Sequence, residues 1–322
     1  MANYRGIKGW SIQTVSSEPA NPKTGQIWYN STLGKIRGGH VATAWSSGND
    51  MNTTEGLARG SAGTLTAGLA AGGTNEVTAT TVDTEEYDGT SWTETNDLNT
   101  ARYSLSGTGT QTAGLAAGGY VHPNRKDEVE EYNGSTWTEV TDLPAATYSA
   151  GMAGTQTAGL FFQGNSPSAA SVAETYEYDG TNWTDGGDCN VAKNASSGCG
   201  TQTAGLSMFG EPGVSSDEYN GTAWTAGGNG NTERYGVGGW GTQTAAGVAG
   251  GYGPGYTNIT ELYDGSSWTE VADLSTSRAN LGSGRNGAQT AGLVFGGDRP
   301  ANSNATEEFT GEFAAAATVT SS

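Results

Sequence analysis

Short runs of small and apolar residues, each closed by glycine, alternate along this chain with polar segments that carry one tyrosine and one tryptophan. Gln111–Ala117 runs into Gly118–Gly119, and its sequel Glu130–Trp137 reads EEYNGSTW. Copies of the first segment centre on Thr66, Thr112, Thr157, Thr203, Thr244 and Thr290. Copies of the second are Tyr87–Trp92, Tyr132–Trp137, Tyr178–Trp183, Tyr219–Trp224 and Tyr263–Trp268, with a degenerate sixth at Phe309. The five tryptophans fall 45, 46, 41 and 44 residues apart, a period that matches propeller blades. Trp45 lies 20 residues before Leu65, much as Trp92 lies 19 before Gln111. Six tryptophan positions are therefore counted, and six blades are expected.

Each unit reads as four short strands. In the second these are expected at about Tyr103–Gly107, Gln111–Ala117, Val129–Tyr132 and Thr136–Val140. Asp-Gly or Asn-Gly between the last two, as at Asp88–Gly89 and Asn133–Gly134, is a strong hairpin signal. The first strand would line a central channel. The small residues of the second fit a strand covered on both faces by neighbouring blades.

Glycine (53) and proline (8) make up about a fifth of the 322 residues. Aperiodic glycine at that level would suggest low complexity, but these glycines keep fixed offsets and read as turns. Net charge is −19, which disfavours a nucleic-acid partner. It is unevenly spread: residues 1–44 are net +4 (Arg5, Lys8, Lys23, Lys35 and Arg37 against Glu18), leaving −23 for the remainder. No apolar run is long enough for a membrane helix, and no membrane insertion is expected. The first residues lack the apolar core of a signal peptide. Cys189 and Cys199, the only cysteines, are expected at the two ends of one strand as free thiols.

Residues 1–44 do not repeat. Thr24–Gly39 alternates apolar and polar residues around Asn30–Gly34, which predicts a β-hairpin with an aromatic face (Trp28, Tyr29) and a basic flank (Lys35, Arg37). It would serve either as a strap on the periodic part or as an anchor on another protein. The division expected is 1–44 anchor or strap and 45–322 propeller. The sixth unit ends irregularly, so its outer strand would come from the C-terminal tail or from His40–Ser46. The sequence leaves that choice open.

A Gly-Gly pair after a small or apolar strand, then Tyr and Trp a few residues apart, then a link containing Arg, resembles the kelch repeat over about 45–313. The tyrosine–tryptophan spacing is shorter than usual for kelch. The wording TQTAGL, GG, EEYDGTSWTE and DLNTARY is similar to kelch-type proteins of tailed, especially marine, bacteriophages, and GQIWYNSTLGKIRG resembles a segment near the start of many phage fibre and virion proteins. The resemblance implies an all-β, six-bladed kelch-like β-propeller with a short N-terminal hairpin anchor. It implies a virion structural protein, made in the host cytoplasm, that attaches through residues 1–44 to other tail or capsid proteins and contacts host surface glycan or protein. A tail-associated glycan-degrading enzyme, or a decoration protein without a receptor role, are the alternatives.

Catalytic chemistry finds little support. Galactose oxidase, a kelch-type copper enzyme, needs imidazole and tyrosinate ligands, whereas only His40 and His122 are present, without spaced partners. Tyr87 stands where a sialidase Asp-box has its aspartate. A glycosidase needs two carboxylates about 5–10 Å apart, but Glu86, Glu131, Glu177 and Glu218 recur with the repeat and read as scaffold. No catalytic residue, metal or cofactor is expected. Arg102, Thr147, Lys193, Arg234 and Arg278 each lie ten residues after a tryptophan. The four cations would either bind carbonyls or an acid of an adjacent blade, or form a channel-mouth ring for an anionic ligand. The connections between second and third strands differ most between units, so recognition is expected there. The first candidates are Tyr120, His122, Asn124, Arg125 and Lys126, then Tyr252 and Tyr256, with Arg299.

Overall fold

Two kinds of turn cut the periodic part into strands. Asp88 Oδ1 accepts the amides of Thr90 and Ser91, both at 2.8 Å, while Gly89 takes φ +89°. This Asx turn folds Trp92–Glu94 back onto Thr80–Tyr87, and Asn133, Asp179, Asn220 and Asp264 repeat it. The other turn needs Gly109 at φ +100°, where a Cβ would lie 2.2 Å from the Ala113 carbonyl oxygen, so only glycine fits.

The computed structural model describes residues 13–16, 27–32, 34–54, 60–75, 80–299 and 301–318, with backbone alone at 13, 37–42, 299 and 312–318. Among these the protein is all-β, without a helix. Five antiparallel sheets of four strands follow in order. The first is Gly60–Thr64, Ala67–Thr74, Thr80–Tyr87 and Trp92–Glu94; the second is Ser106–Thr110, Ala113–Val121, Asn124–Tyr132 and Trp137–Glu139. The third, fourth and fifth start at Gly151–Thr155, Ser197–Thr201 and Gly238–Thr242 and end at Trp183–Asp185, Trp224–Ala226 and Trp268–Glu270. A further sheet has six strands, in the order Gln13–Val15, Ile27–Asn30, Lys35–Ser47, Thr306–Thr318, Ala291–Phe295, Gly282–Ser283. A two-stranded ribbon, Asp298–Arg299 with Ala301–Asn302, completes the set. The arrangement is compatible with a β-propeller.

Strand limits differ from those read in the sequence. The first strand of the second sheet begins at Ser106, not Tyr103, because Ser104 sits at φ +52° and breaks the extended run. The next two strands reach 121 and start at 124, making a projecting hairpin where a loop was expected.

The chain divides into Met1–Ala44 with Gly311–Ser322, and Trp45–Thr310. In the first unit, Ile27–Asn30 pairs antiparallel with the strand from Lys35 and parallel with Gln13–Val15. Its burial alternates: Trp28 is fully buried, Ile27 and Tyr29 exposed. Neighbouring residues of a strand point to opposite faces, so Trp28 and Tyr29 do not share the aromatic face expected of them.

In the second unit the core lies between sheets. Leu69 and Ala71 of the first sheet pack with Tyr132 and Trp137 of the second, and Leu160 and Phe162 of the third with Tyr219 and Trp224 of the fourth. Inner strands approach closely: a Cβ on Gly107 would lie 2.5 Å from the Ser61 nitrogen. This is why small residues dominate there.

Three polar contacts recur across the interfaces. Gln111 Nε2 donates to the Gly68 and Tyr87 carbonyls of the preceding sheet (3.2 and 2.8 Å), and Gln156, Gln202, Gln243 and Gln289 do the same in turn. The Tyr132 hydroxyl donates to Glu86, Tyr178 to Glu131, Tyr219 to Glu177 and Tyr263 to Glu218. Trp137 Nε1 donates to Thr84 Oγ1 and Trp224 Nε1 to Thr175 Oγ1. The same contacts join the first sheet to the last: Tyr87 to Glu308 and Trp92 Nε1 to Thr306 Oγ1. Trp45, in Lys35–Ser47, donates to Thr260 Oγ1 at 3.0 Å and packs on Phe309 at 5.2 Å between centroids. The N-terminal strand thus supplies the outer position of the last repeat, the choice the sequence left open.

Candidate functional site

The four recurring cations are structural. Arg102, Lys193, Arg234 and Arg278 are wholly buried, so none of them offers a channel-mouth charge to a ligand. They precede the inner strands, and each pairs with a carboxylate of the sheet it leads into. Arg102 lies 2.6 Å from Glu130, Arg234 2.5 Å from Glu261, Arg278 2.7 Å from Glu307, and Lys193 3.8 Å from Asp217. Arg234 also stacks 4.8 Å from the Phe209 ring centre. Burial lowers the pKa of Lys193 and Arg234, with Asp217 and Glu261 opposing the shift.

The third repeat lacks this pair. Thr147 stands in the place of the cation and Tyr176 in the place of the carboxylate. A cavity of about 270 Å³ opens beside them, bounded also by Gln163, Ser166, Ser168 and Glu174.

The structure gathers most of the expected recognition residues into two tyrosine clusters. Tyr120 meets Tyr103 edge to face (5.5 Å between centroids) and Tyr148 at a tilt (4.9 Å), and its hydroxyl lies 3.4 Å from His122 Nδ1. Arg125 sits 5.7 Å above the Tyr148 ring and donates twice to Asn165 Oδ1, at 2.9 and 2.7 Å. His122 and Asn124 are exposed at the hairpin tip. Lys126 is instead paired with Glu128 at 2.5 Å.

The second cluster holds Tyr235, Tyr252 and Tyr256, with centroids 5.7 and 5.0 Å apart. The Tyr256 hydroxyl donates to Asp298 Oδ2 at 2.9 Å, and burial with that carboxylate pushes its pKa up to about 12. A groove of about 340 Å³ runs beside Tyr235, lined by Glu211, Glu233, Gly253 and Pro254. Arg299 lies in the ribbon Asp298–Arg299, but its side chain and that of Arg37 lie outside the described ones. Lys35 is exposed.

Tyr103, Tyr148 and Tyr235 were missed in the sequence, although the signal was present: each directly follows a position of the cation series (Arg102, Thr147, Arg234). Each also bridges to the connection singled out there, Tyr103 to Tyr120, Tyr148 to Asn165 and Tyr235 to Tyr252.

A third cluster was not foreseen. Arg285 Nε donates to Ser61 Oγ at 3.2 Å, and Nη1 lies 3.5 Å from Ser197 Oγ and 3.4 Å from the Gly198 carbonyl. Asn286 Nδ2 donates to the Gly109 and Gly154 carbonyls, both at 3.1 Å. These two side chains touch the first, second, third and fourth sheets. The signal is a two-residue insertion: eight positions separate Leu281 from Gln289, against six between Leu105 and Gln111.

The cysteines are free and buried. Cys199 lies within Ser197–Thr201 and Cys189 in the link before it, so they do not end one strand. Among the described residues no group of three or more His, Cys, Asp or Glu could hold a metal ion. No protein-family model matches the chain, and no curated protein is similar to it.

Proposed function

We propose that the protein is a closed, six-bladed kelch-type propeller acting as a non-catalytic recognition module of a tailed-phage virion. Closure is supported by Tyr87–Glu308 and Trp92–Thr306, which repeat between the first and last sheets the bonds made at other interfaces. The virion assignment rests on the sequence resemblance. Residues 1–44 would attach to tail or capsid proteins, with Ile27 and Tyr29, both exposed on the hairpin, as the docking face.

The observation that carries recognition is the pair of half-buried tyrosine clusters that join the connections varying between repeats to the links before the inner strands. Tyrosine offers a rigid apolar face and a polar tip at small entropic cost, which suits the faces and hydroxyls of sugar rings. The test is binding of the protein to host surface glycan and to whole host cells. A variant carrying Tyr235→Ala and Tyr252→Ala should bind at least about tenfold more weakly with its fold retained. Unchanged binding would remove the recognition role and leave decoration of the particle.

A hydrolytic reading has one observation in its favour, that Glu211 and Glu233 share the groove beside Tyr235. Release of reducing sugar from host glycan, abolished by Glu233→Gln, would replace the binding-only reading.

A further inference from the structure

Arg285 differs from the other buried cations. It is 7 % exposed, and among the described residues no carboxylate pairs with it. Its contacts are neutral acceptors, Ser61 Oγ, Ser197 Oγ and the Gly198 carbonyl, two of them at 3.4–3.5 Å. Burial lowers its pKa to about 10, so it remains charged at neutral pH. A buried charge without a counter-charge is destabilising. The chain places this charge deliberately in the structural sense, since it arrives on a two-residue insertion found in no other repeat.

Arg285 borders a small cavity of about 30 Å³, bounded also by Leu105, Ser149, Ser196, Val237, Asn280 and Leu281. Ser196 Oγ is buried there without a hydrogen-bond partner, an independent sign of a missing acceptor. The cavity lining includes Ser149, Ala195, Gly236 and Asn280, all at positive φ like Ser104 beside Leu105. Each amide donates to the one before it: Ser149 to Ser104, Ala195 to Ser149, Gly236 to Ala195 and Asn280 to Gly236, at 2.7–3.0 Å. Those bonds fix the rim and occupy the amides of Ser149, Ala195, Gly236 and Asn280, while Arg285 and the Ser196 hydroxyl border the space as donors.

We infer that this cavity is a binding site for a monoatomic anion, chloride under ordinary conditions, held by the Arg285 guanidinium and the Ser196 hydroxyl. A space of this size takes one small ion or one or two waters, and is too small for sulfate or phosphate. Water would satisfy Ser196 but would leave the charge of Arg285 uncompensated. The net charge of −19 repels anions at low salt. At physiological ionic strength the Debye length is about 8 Å, and distant surface carboxylates no longer oppose entry.

The test follows thermal unfolding of the full chain across a sodium chloride series, matched in ionic strength with sodium gluconate. Chloride should raise the midpoint saturably, by at least about 2 °C, and gluconate should not. Ser196→Val keeps Arg285 but fills the cavity, and should lose the chloride dependence. Arg285→Met should lose it as well, and should unfold at a midpoint independent of halide. In crystals grown with bromide, an anomalous peak is expected beside Arg285. Equal midpoints in chloride and gluconate, or no bromide peak in the cavity, would overturn the assignment.

Discussion

The hydroxyl of Tyr87 donates to Glu308 Oε1 at 2.5 Å, joining the first repeat to the last across 221 residues of sequence. One interface lacks this bond, and both of its partners have changed together. Phe309 stands where the other repeats have tyrosine, and Leu262 where they have glutamate; the two belong to one apolar cluster with Trp45 and Trp240. Tyr87→Phe should therefore cost about 1–2 kcal/mol, leaving Glu308 without its donor. Adding Glu308→Leu should recover most of that loss by recreating the Leu–Phe pairing. Urea denaturation of the two single variants and the double variant gives the coupling, expected at about 1 kcal/mol or more. A coupling near zero would mean that the ring is not closed at this seam.

Alkaline pH should unfold the protein early. Burial, with hydrogen bonds to glutamate, raises Tyr132, Tyr219 and Tyr263 to about 12 and raises Tyr87 and Tyr178 as well. A raised folded pKa means that the native state holds the proton where the unfolded state, titrating near pH 10, has lost it. This stabilisation is complete below about pH 10 and disappears as pH climbs through the folded values. Lys193, Arg234 and Arg285 are lowered and act in the opposite sense, but they are outnumbered. Melting temperature should fall steadily between pH 10 and 12, and a flat profile there would contradict the Tyr–Glu bonds.

Removing one member of a buried ion pair should be far more damaging than removing a surface charge. Arg234→Met strands Glu261 and should cost about 3–5 kcal/mol. The double variant with Glu261→Leu should recover a part, because Glu261 also accepts bonds from the Asn231 amide and side chain. Glycan binding by folded Arg234→Met should match the parent; selective loss of binding would reinstate a ligand role for the cation.

The thiols should be inert while the protein is folded. Desolvation pushes the Cys199 thiol up to about 12 and raises Cys189 too, and both are buried. Alkylation of native protein should run at less than roughly 1 % of the rate in denaturant, as read by mass spectrometry. Rapid labelling of Cys189 alone would show that its link opens locally.

Much of the scaffold was legible because it repeats. The period and the Asp-Gly and Asn-Gly turns are local features whose chemistry does not depend on what lies opposite. The turn between Asp88 and Ser91 is one such case: its side chain, glycine and partner amides all lie within four residues. The recurring glutamine was visible but unexplained, since Gln111 bonds to Gly68 and Tyr87, whose nearness follows only from sheet packing.

The sequence by itself determined the all-β class, the repeat, the Asx turns and the positions that vary, because backbone sterics and a two-residue side-chain alternation act over a few residues. Only the tertiary structure decided that Arg102 and its counterparts are buried in ion pairs, and that the strand carrying Trp45 completes the last repeat. It alone gathered Tyr103, Tyr120 and Tyr148, and set Arg285 against Ser61 and Ser197. Burial, charge pairing and the bonds between the first and last sheets depend on partners tens to hundreds of residues away, and a single repeat does not specify which neighbour it will meet.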